Sequence, residues 1–256
     1  MRMALSYLQY RINAKNRHGV HSPFVYKLNE DVIGNTHYPS KDAIENLRAE
    51  LESNNQVIDI NDLGAGSRTN KSNSRKVSEI ARVSSGSQKD LALLYNLLDW
   101  LKGENVLELG TNLGLSAAVM ASVPSVKRLI SIEGDEQLKQ IAVKNLENLG
   151  LNAEIIQGAF EDRLDLALDK LQHIDFAYID GNHQLEPTLH YFNRILDYTH
   201  SNSVICIGDI HWSKEMEEAW ETIKEHESVK VTVDVFSIGL VFFKTELSKE
   251  HFILHG

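Results

Sequence analysis

From residue 88 onward the chain alternates between two hydrophobic rhythms. Short apolar runs, of the kind that make buried strands, are separated by segments whose apolar residues recur at three- and four-residue spacing, the face of a helix. The pattern predicts helices over 90–101, 114–122, 135–149, 163–171, 185–196 and 215–226. It predicts strands over 105–109, 128–132, 154–157, 174–179, 204–207, 229–236 and 238–244. Local chemistry agrees with these limits. Ser87 is placed to cap the first helix, and Pro124 stands just past the second. In 135–149 the residues Leu138, Ile141, Ala142, Leu146 and Leu149 share one face, with Gly150 just beyond the end. Pro187 falls in a first turn, where its missing N–H costs nothing.

Strands alternating with helices imply a doubly wound, mostly parallel α/β sheet with right-handed crossovers. The last two runs are too close for a crossover helix, so the seven-stranded sheet should close with an antiparallel C-terminal hairpin. Residues 1–87 break the alternation. They read as a helical and irregular N-terminal extension, a cap laid on the substrate side of a cofactor-binding domain over 88–256.

Composition adds limits. Apolar residues are 42% and charged residues 24%, as in an ordinary globular protein. The single cysteine, Cys206, lies within an apolar run and reads as a small buried hydrophobe. No run approaches the roughly 20 apolar residues of a membrane span, and the start of the chain lacks a secretory pattern; a cytoplasmic protein is expected. The net charge is −10, concentrated after residue 90, which argues against a general nucleic-acid binder. Residues 67–89 are the exception, being strongly basic.

In open α/β sheets ligands bind at the carboxyl ends of the strands, next to the switch in strand order. The first such end carries Glu-Leu-Gly-Thr-Asn-Leu-Gly-Leu-Ser (108–116). Gly110 permits a tight turn against a ligand, Gly114 permits close helix packing, and the following helix offers free N–H groups. Glu133 ends the next strand, where a carboxylate can bind both ribose hydroxyls. The dinucleotide fingerprint is absent, since Asn112 holds its middle glycine position; this disfavours a nucleotide-dependent oxidoreductase. A second glycine-bearing stretch, Asn-Asp-Leu-Gly-Ala-Gly-Ser (61–67), fails the same tests. It has no packed helix after it and no acidic strand end about 20 residues on. It reads instead either as a flexible surface turn or, with Arg68, Lys71, Arg75 and Lys76 behind it, as a basic lid for the anionic part of an acceptor.

Five segments occur in order: 108–116, Ile-Glu-Gly-Asp (132–135), Gln-Gly-Ala-Phe-Glu-Asp (157–162), Phe-Ala-Tyr-Ile-Asp-Gly-Asn-His (176–183) and Gly-Asp-Ile-His-Trp (208–212). Together they resemble the class I S-adenosylmethionine-dependent methyltransferases, and within them the O-methyltransferases of the catechol and caffeoyl-CoA type. The resemblance covers about 88–244. It implies S-adenosylmethionine as cofactor, in a loop of Glu108, Gly110, Gly114 and Ser116. Gly110 and Ser116 would face the methionine carboxylate, Glu133 the ribose, Ala159 and Phe160 the adenine, and Asp180 the amino group.

The resembled enzymes hold magnesium with one aspartate after the fourth strand and an Asp-Asn pair after the fifth. Asp180 and Asp209 match, but Ile210 replaces the asparagine, and His211 follows as a candidate ligand that would favour a softer ion. His183 stands where the catechol-type enzymes carry a basic lysine. It is the candidate general base, with Asp180 as catalytic partner. His18 and His21 are expected to tie down the N-terminal segment, and Trp212 to wall a pocket or the core.

The function expected is O-methylation of a small hydroxylated molecule. The alternatives are methylation of an RNA nucleotide, or a catalytically inactive cofactor-binding sensor. The expected partner is a small-molecule acceptor, with no membrane; nucleic acid is disfavoured, and a homodimer is left open.

Overall fold

The computed structural model describes residues 2–15, 21–60, 74–84 and 86–256. His18, Asn61–Ser67, Arg68 and Lys71 lie outside the described residues, so the lid expectation rests on nothing seen here.

Four helices open the chain: α1 (Arg2–Asn13), α2 (Pro23–Leu28), continued by a wider helical turn (Asn29–Ile33), α3 (Lys41–Ser53) and α4 (Val77–Ser84). Between α3 and α4, β1 (Val57–Asp59) pairs antiparallel with β2 (Ser74–Lys76), which places Arg75 and Lys76 on a small hairpin. The alternating part then runs α5 (Gln88–Leu101), β3 (Asn105–Leu109), α6 (Leu115–Ala121), β4 (Arg128–Glu133), α7 (Glu136–Asn148), β5 (Glu154–Gln157), α8 (Phe160–Leu171), β6 (Ile174–Ile179), α9 (Leu185–Leu196), β7 (Thr199–Gly208), α10 (Lys214–Glu225), β8 (Val231–Asp234) and β9 (Ile238–Phe242).

A last strand, β10 (Glu250–Ile253), makes the sheet eight-stranded rather than seven, in the order β10-β8-β9-β7-β6-β3-β4-β5. It pairs parallel with β8. Its four residues are too few, and too polar at Glu250 and His251, to stand out by pattern. β9 runs antiparallel to both β7 and β8, as its short connection requires. β7 begins five residues before its apolar run, because Ser203 and His200 satisfy each other and Ile174 locally: Ser203 Oγ donates to the Ile174 carbonyl (2.5 Å) and accepts from His200 N (2.8 Å).

Helix starts follow their caps. Ser87 and Asp90 form a reciprocal capping box on α5, and the Asp135 carboxylate accepts from Gln137 N (2.8 Å) and Leu138 N (2.9 Å) at α7. Along β3 and β6 alternate side chains enter opposite cores. Val106, Phe176 and Tyr178 join α5, α6 and α7, while Leu107, Leu109, Ala177 and Ile179 join α8, α9 and α10. The N-terminal helices share the first of these cores through Val25, Leu28, Ile44, Leu47 and Ile80. Helix α1 is tied instead to the β10 edge: the Tyr10 hydroxyl donates to the Leu254 carbonyl, and Lys15 N donates to Ile253 O (2.8 Å). Among the described residues no helix is long and apolar enough to cross a membrane.

The edge opposite the strand ends is fastened by Asp175. Its carboxylate accepts from Glu104 N, Asn105 N and His200 Nε2, each at 2.8 Å. Burial alone would raise its pKa, but the hydrogen bonds from Asn105, His200 and Glu104 hold it below the usual carboxylate value. A carboxylate with a depressed native pKa stabilises the fold above its unfolded pKa, and that contribution is lost as pH falls through the native value. Asp175→Ala should therefore cost about 1.5–3 kcal/mol at pH 7. In urea unfolding the gap between variant and wild type should narrow in acid, below about pH 4.

Candidate functional site

Three adjacent parallel strands, β4, β3 and β6, deliver the predicted residues to one edge, and β7 completes it. Glu108 on β3 is fully buried. Its Oε2 accepts from Ser131 Oγ (2.5 Å), while its Oε1 is buried with no hydrogen-bond partner. Burial pushes its carboxyl up to about 7, against the pull of the Ser116 and Ser131 hydroxyls. Gly110 follows at φ +105°, and a side chain there would collide with the Asp180 carbonyl. Gly114, at φ +84°, lies against Ala142 of α7, where an added Cβ would come within 3.0 Å. Both oxygens of Glu133 are held by backbone donors, Oε2 by Asn112 N (2.7 Å) and Oε1 by Asp135 N (2.9 Å). This fixes the carboxylate beside the glycine loop.

Past β5, Ala159 precedes α8 and Phe160 opens it, three residues earlier than the apolar pattern suggested. The Phe160 ring covers Gly181, where a Cβ would come within 2.6 Å of it, and meets Tyr191 edge-on with centroids 5.6 Å apart. The residues expected at the adenine thus lie over the loop that carries Asp180.

Asp180, His183 and Asp209 converge. One ligand-type atom from each lies within 4.8 Å of the others, and His183 Nε2 is 3.8 Å from Asp209 Oδ2. His183 and Asp209 both adopt left-handed backbone, φ +42° and +56°, which turns their side chains back toward the strand ends. The buried Tyr178 hydroxyl hydrogen-bonds Asp180. A side chain at Gly208 would strike Asp180 Oδ1 and come within 3.3 Å of the Tyr178 hydroxyl. Desolvation raises the Asp180 carboxyl to about 6; His183 opposes that shift, and Asp209 adds to it. Asp90, at the first turn of α5, accepts from the Ser237 hydroxyl, and Ser237 O accepts from Asp209 N (2.7 Å).

The structure does not bring His211 to this group. Its Nε2 lies 2.9 Å from Asp234 Oδ2, and its ring stacks on Phe236 at 5.1 Å. The Asp209 turn sends residue 211 toward α10 and β8, into a separate cavity of about 360 Å³ lined by Tyr10, Glu217, Trp220 and His251. The histidine that stands with Asp180 and Asp209 is His183, not His211. Trp212 packs half-buried against the second core. Tyr178 and Asp90 were not singled out from sequence. The signal for Tyr178 was a polar group two positions before Asp180, hence on the same face of β6; Asp90 gave none beyond its role as a cap.

These elements make a Rossmann-like α/β fold with its glycine- and carboxylate-bearing strand ends gathered at one edge, and solved structures of methyltransferases share that fold. Residues 107–210 match a family model described as a methyltransferase domain. Protein-L-isoaspartate O-methyltransferase 1 of Archaeoglobus fulgidus is 41% identical over 70 residues, 27% of this chain and 32% of that protein. Uncharacterized protein R132 of Acanthamoeba polyphaga mimivirus is 29% identical over 138 residues, 48% of this chain and 62% of that protein. The chain thus spans less than two thirds of either curated relative. Among solved structures, cofactor-bound Rv0187 from MTB aligns with a TM-score of 0.58 at 16% identity, over 85% of this chain and 94% of that one. The O-methyltransferase from Bacillus cereus in complex with SAH gives 0.52 at 19% identity, over 84% and 94%.

Glu108 connects this site to stability. A native pKa of about 7 against 4.5 means that the folded chain holds that proton more tightly than the unfolded one. Stability is then lost as pH rises through that interval, by about 3 kcal/mol in full. Glu108→Gln, which cannot ionise, should gain on wild type by that order between pH 4 and pH 8. Urea midpoints at the two pH values measure it, and a constant difference would refute the assignment.

Proposed function

We propose that the chain transfers a methyl group from S-adenosylmethionine to an oxygen of a small hydroxylated acceptor. One observation carries this reading: the glycine loop at Gly110 touches the backbone of Asp180, so a methyl donor in that loop lies beside the Asp180–His183–Asp209 group. The residues fit the donor. The glycine at 110 leaves room for close approach, Glu133 is pre-set by two N–H groups for a pair of ribose hydroxyls, and Glu108 Oε1 waits for a hydrogen-bond donor. Two of the similar proteins are O-methyltransferases by name, which supports oxygen as the acceptor atom.

S-adenosylmethionine supplies an electrophilic methyl group, and a divalent ion held by Asp180, His183 and Asp209 would acidify a nearby hydroxyl. The chain's own part is alignment and proton removal. Holding acceptor oxygen and methyl in line can supply roughly 7–11 kcal/mol. With no ion bound, His183 is the side chain of the group able to take the acceptor's proton, and Asp180 and Asp209 flank it with negative charge. Residues 1–87 form the acceptor side in this reading. The β1–β2 hairpin supports that, because Gln137 in the first turn of α7 donates to Asp59 O (3.0 Å), near the Glu133 end of the cleft.

Two measurements test the proposal. By calorimetry, Glu133→Ala should weaken S-adenosylmethionine binding by about 1.5–3 kcal/mol, the loss of a charge-assisted contact; wild-type affinity would remove the ribose assignment. With a panel of catechols and other small hydroxylated compounds, S-adenosylhomocysteine release should fall roughly 10²-fold or more in Asp180→Ala and in Asp209→Ala. Unchanged turnover in either variant would overturn the assignment of that residue.

A further inference from the structure

The donor set at the strand ends is mixed. Magnesium takes one or two carboxylates, keeps much of its water and has little use for nitrogen. Among the described residues the chain offers the site two carboxylates and no further acidic oxygen. Ile210, beside Asp209, is fully buried in the core formed with α9 and α10 and offers the site no donor. Asp180 is restricted too. The Tyr178 hydroxyl lies beside its carboxylate, and Oδ1 sits against Gly208, so that oxygen faces protein. What the chain adds instead is nitrogen: His183 Nε2, 3.8 Å from Asp209 Oδ2 and within 4.8 Å of both carboxylates. Imidazole suits the first-row transition ions, and two carboxylates with one imidazole give a mixed hard and borderline set. Charge points the same way. Asp180 and Asp209 are partly withdrawn from water, Asp90 acts on both through its charge, and His183 is the basic group among them. Carboxylates crowded in this way are stabilised by a bound dication.

We propose that Asp180, Asp209 and His183 form a site for a first-row transition dication such as manganese, iron(II) or cobalt, with His183 Nε2 as nitrogen ligand, in preference to magnesium. The inference rests on the methyltransferase reading, because the same three residues face the acceptor there.

The test uses the full chain, stripped with a chelator and saturated with S-adenosylhomocysteine, whose own binding is first measured by calorimetry without metal. Manganese should then bind roughly 100-fold more tightly than magnesium, following the donor preferences of the site. Pulsed paramagnetic resonance of the manganese complex should show modulation from a directly coordinated nitrogen. His183→Ala should abolish that modulation and weaken manganese about tenfold or more, while magnesium and S-adenosylhomocysteine affinities stay within about twofold. The wild-type spectrum alone is decisive even if the variant folds poorly. Equal affinity for the two ions, or manganese bound without nitrogen modulation, overturns the inference. Should S-adenosylhomocysteine bind while neither ion does, the metal site falls and the methyltransferase reading stands. If S-adenosylhomocysteine itself does not bind, both fall.

Discussion

The position of Asp180 depends on two side chains that are not there. Its carbonyl occupies the space a Cβ at residue 110 would need, and its carboxylate occupies that of a Cβ at residue 208. Those glycines end β3 and β7, the strands flanking β6 on either side. The approach is set by parallel register: Leu109 stands beside Ile179, and Ile179 beside Ile207. A one-residue slip in any of the three strands would turn Tyr178 and Asp180 to the opposite face and separate the glycine loop from the Asp180–His183–Asp209 group. The large apolar core serves this site directly, by fixing register. Val106 and Phe176 on one face, and Leu107 and Ala177 on the other, leave the strands a single alignment that buries both sets.

The same edge concentrates carboxylates that the protein satisfies unequally. Glu133 has backbone N–H groups on both oxygens and Asp175, at the far edge, has three donors, whereas Glu108 keeps one oxygen without a partner and Asp180 shares its surroundings with further acids. Buried polar groups in folded chains are usually matched, so the unmatched oxygen of Glu108 stands out from the rest of the edge. The unmatched oxygen of Glu108 costs stability, whereas the three donors on Asp175 add to it.

Much of this was legible in the sequence, for reasons that can be named. The alternation from residue 88, the antiparallel closure after Val235 and the glycines at 110 and 114 follow from periodicity, connection length and turn chemistry, all of them local. Asp180, Asp209 and His183 were identifiable because each follows the end of an apolar strand, and strand ends are where ligands gather. The parts that escaped depend on non-local or conformational detail. β10 is legible only through its partner β8. The polar start of β7 is held by Ser203 and His200, residues that alone suggest a loop. Chain order groups His211 with Asp209, but at the left-handed turn of Asp209 the histidine goes to Asp234, and the two aspartates meet His183, itself in a left-handed conformation. A sequence pattern lists the side chains of such a turn without saying which way each one faces.

The docking of α1 also bears on how the molecule comes to be made. Tyr10 binds a carbonyl 244 residues further along, and Ser6 reaches Glu217, 211 residues on. Most of the helix is otherwise exposed, with Leu5, Leu8 and Ile12 open to the surroundings. A short helix with so little of its own to bury does not persist alone in water. On a ribosome, therefore, α1 is made long before the strand edge on which it docks. Until β10 has been synthesised and paired, its apolar residues have nothing to cover them, and a chaperone or a protease can reach them.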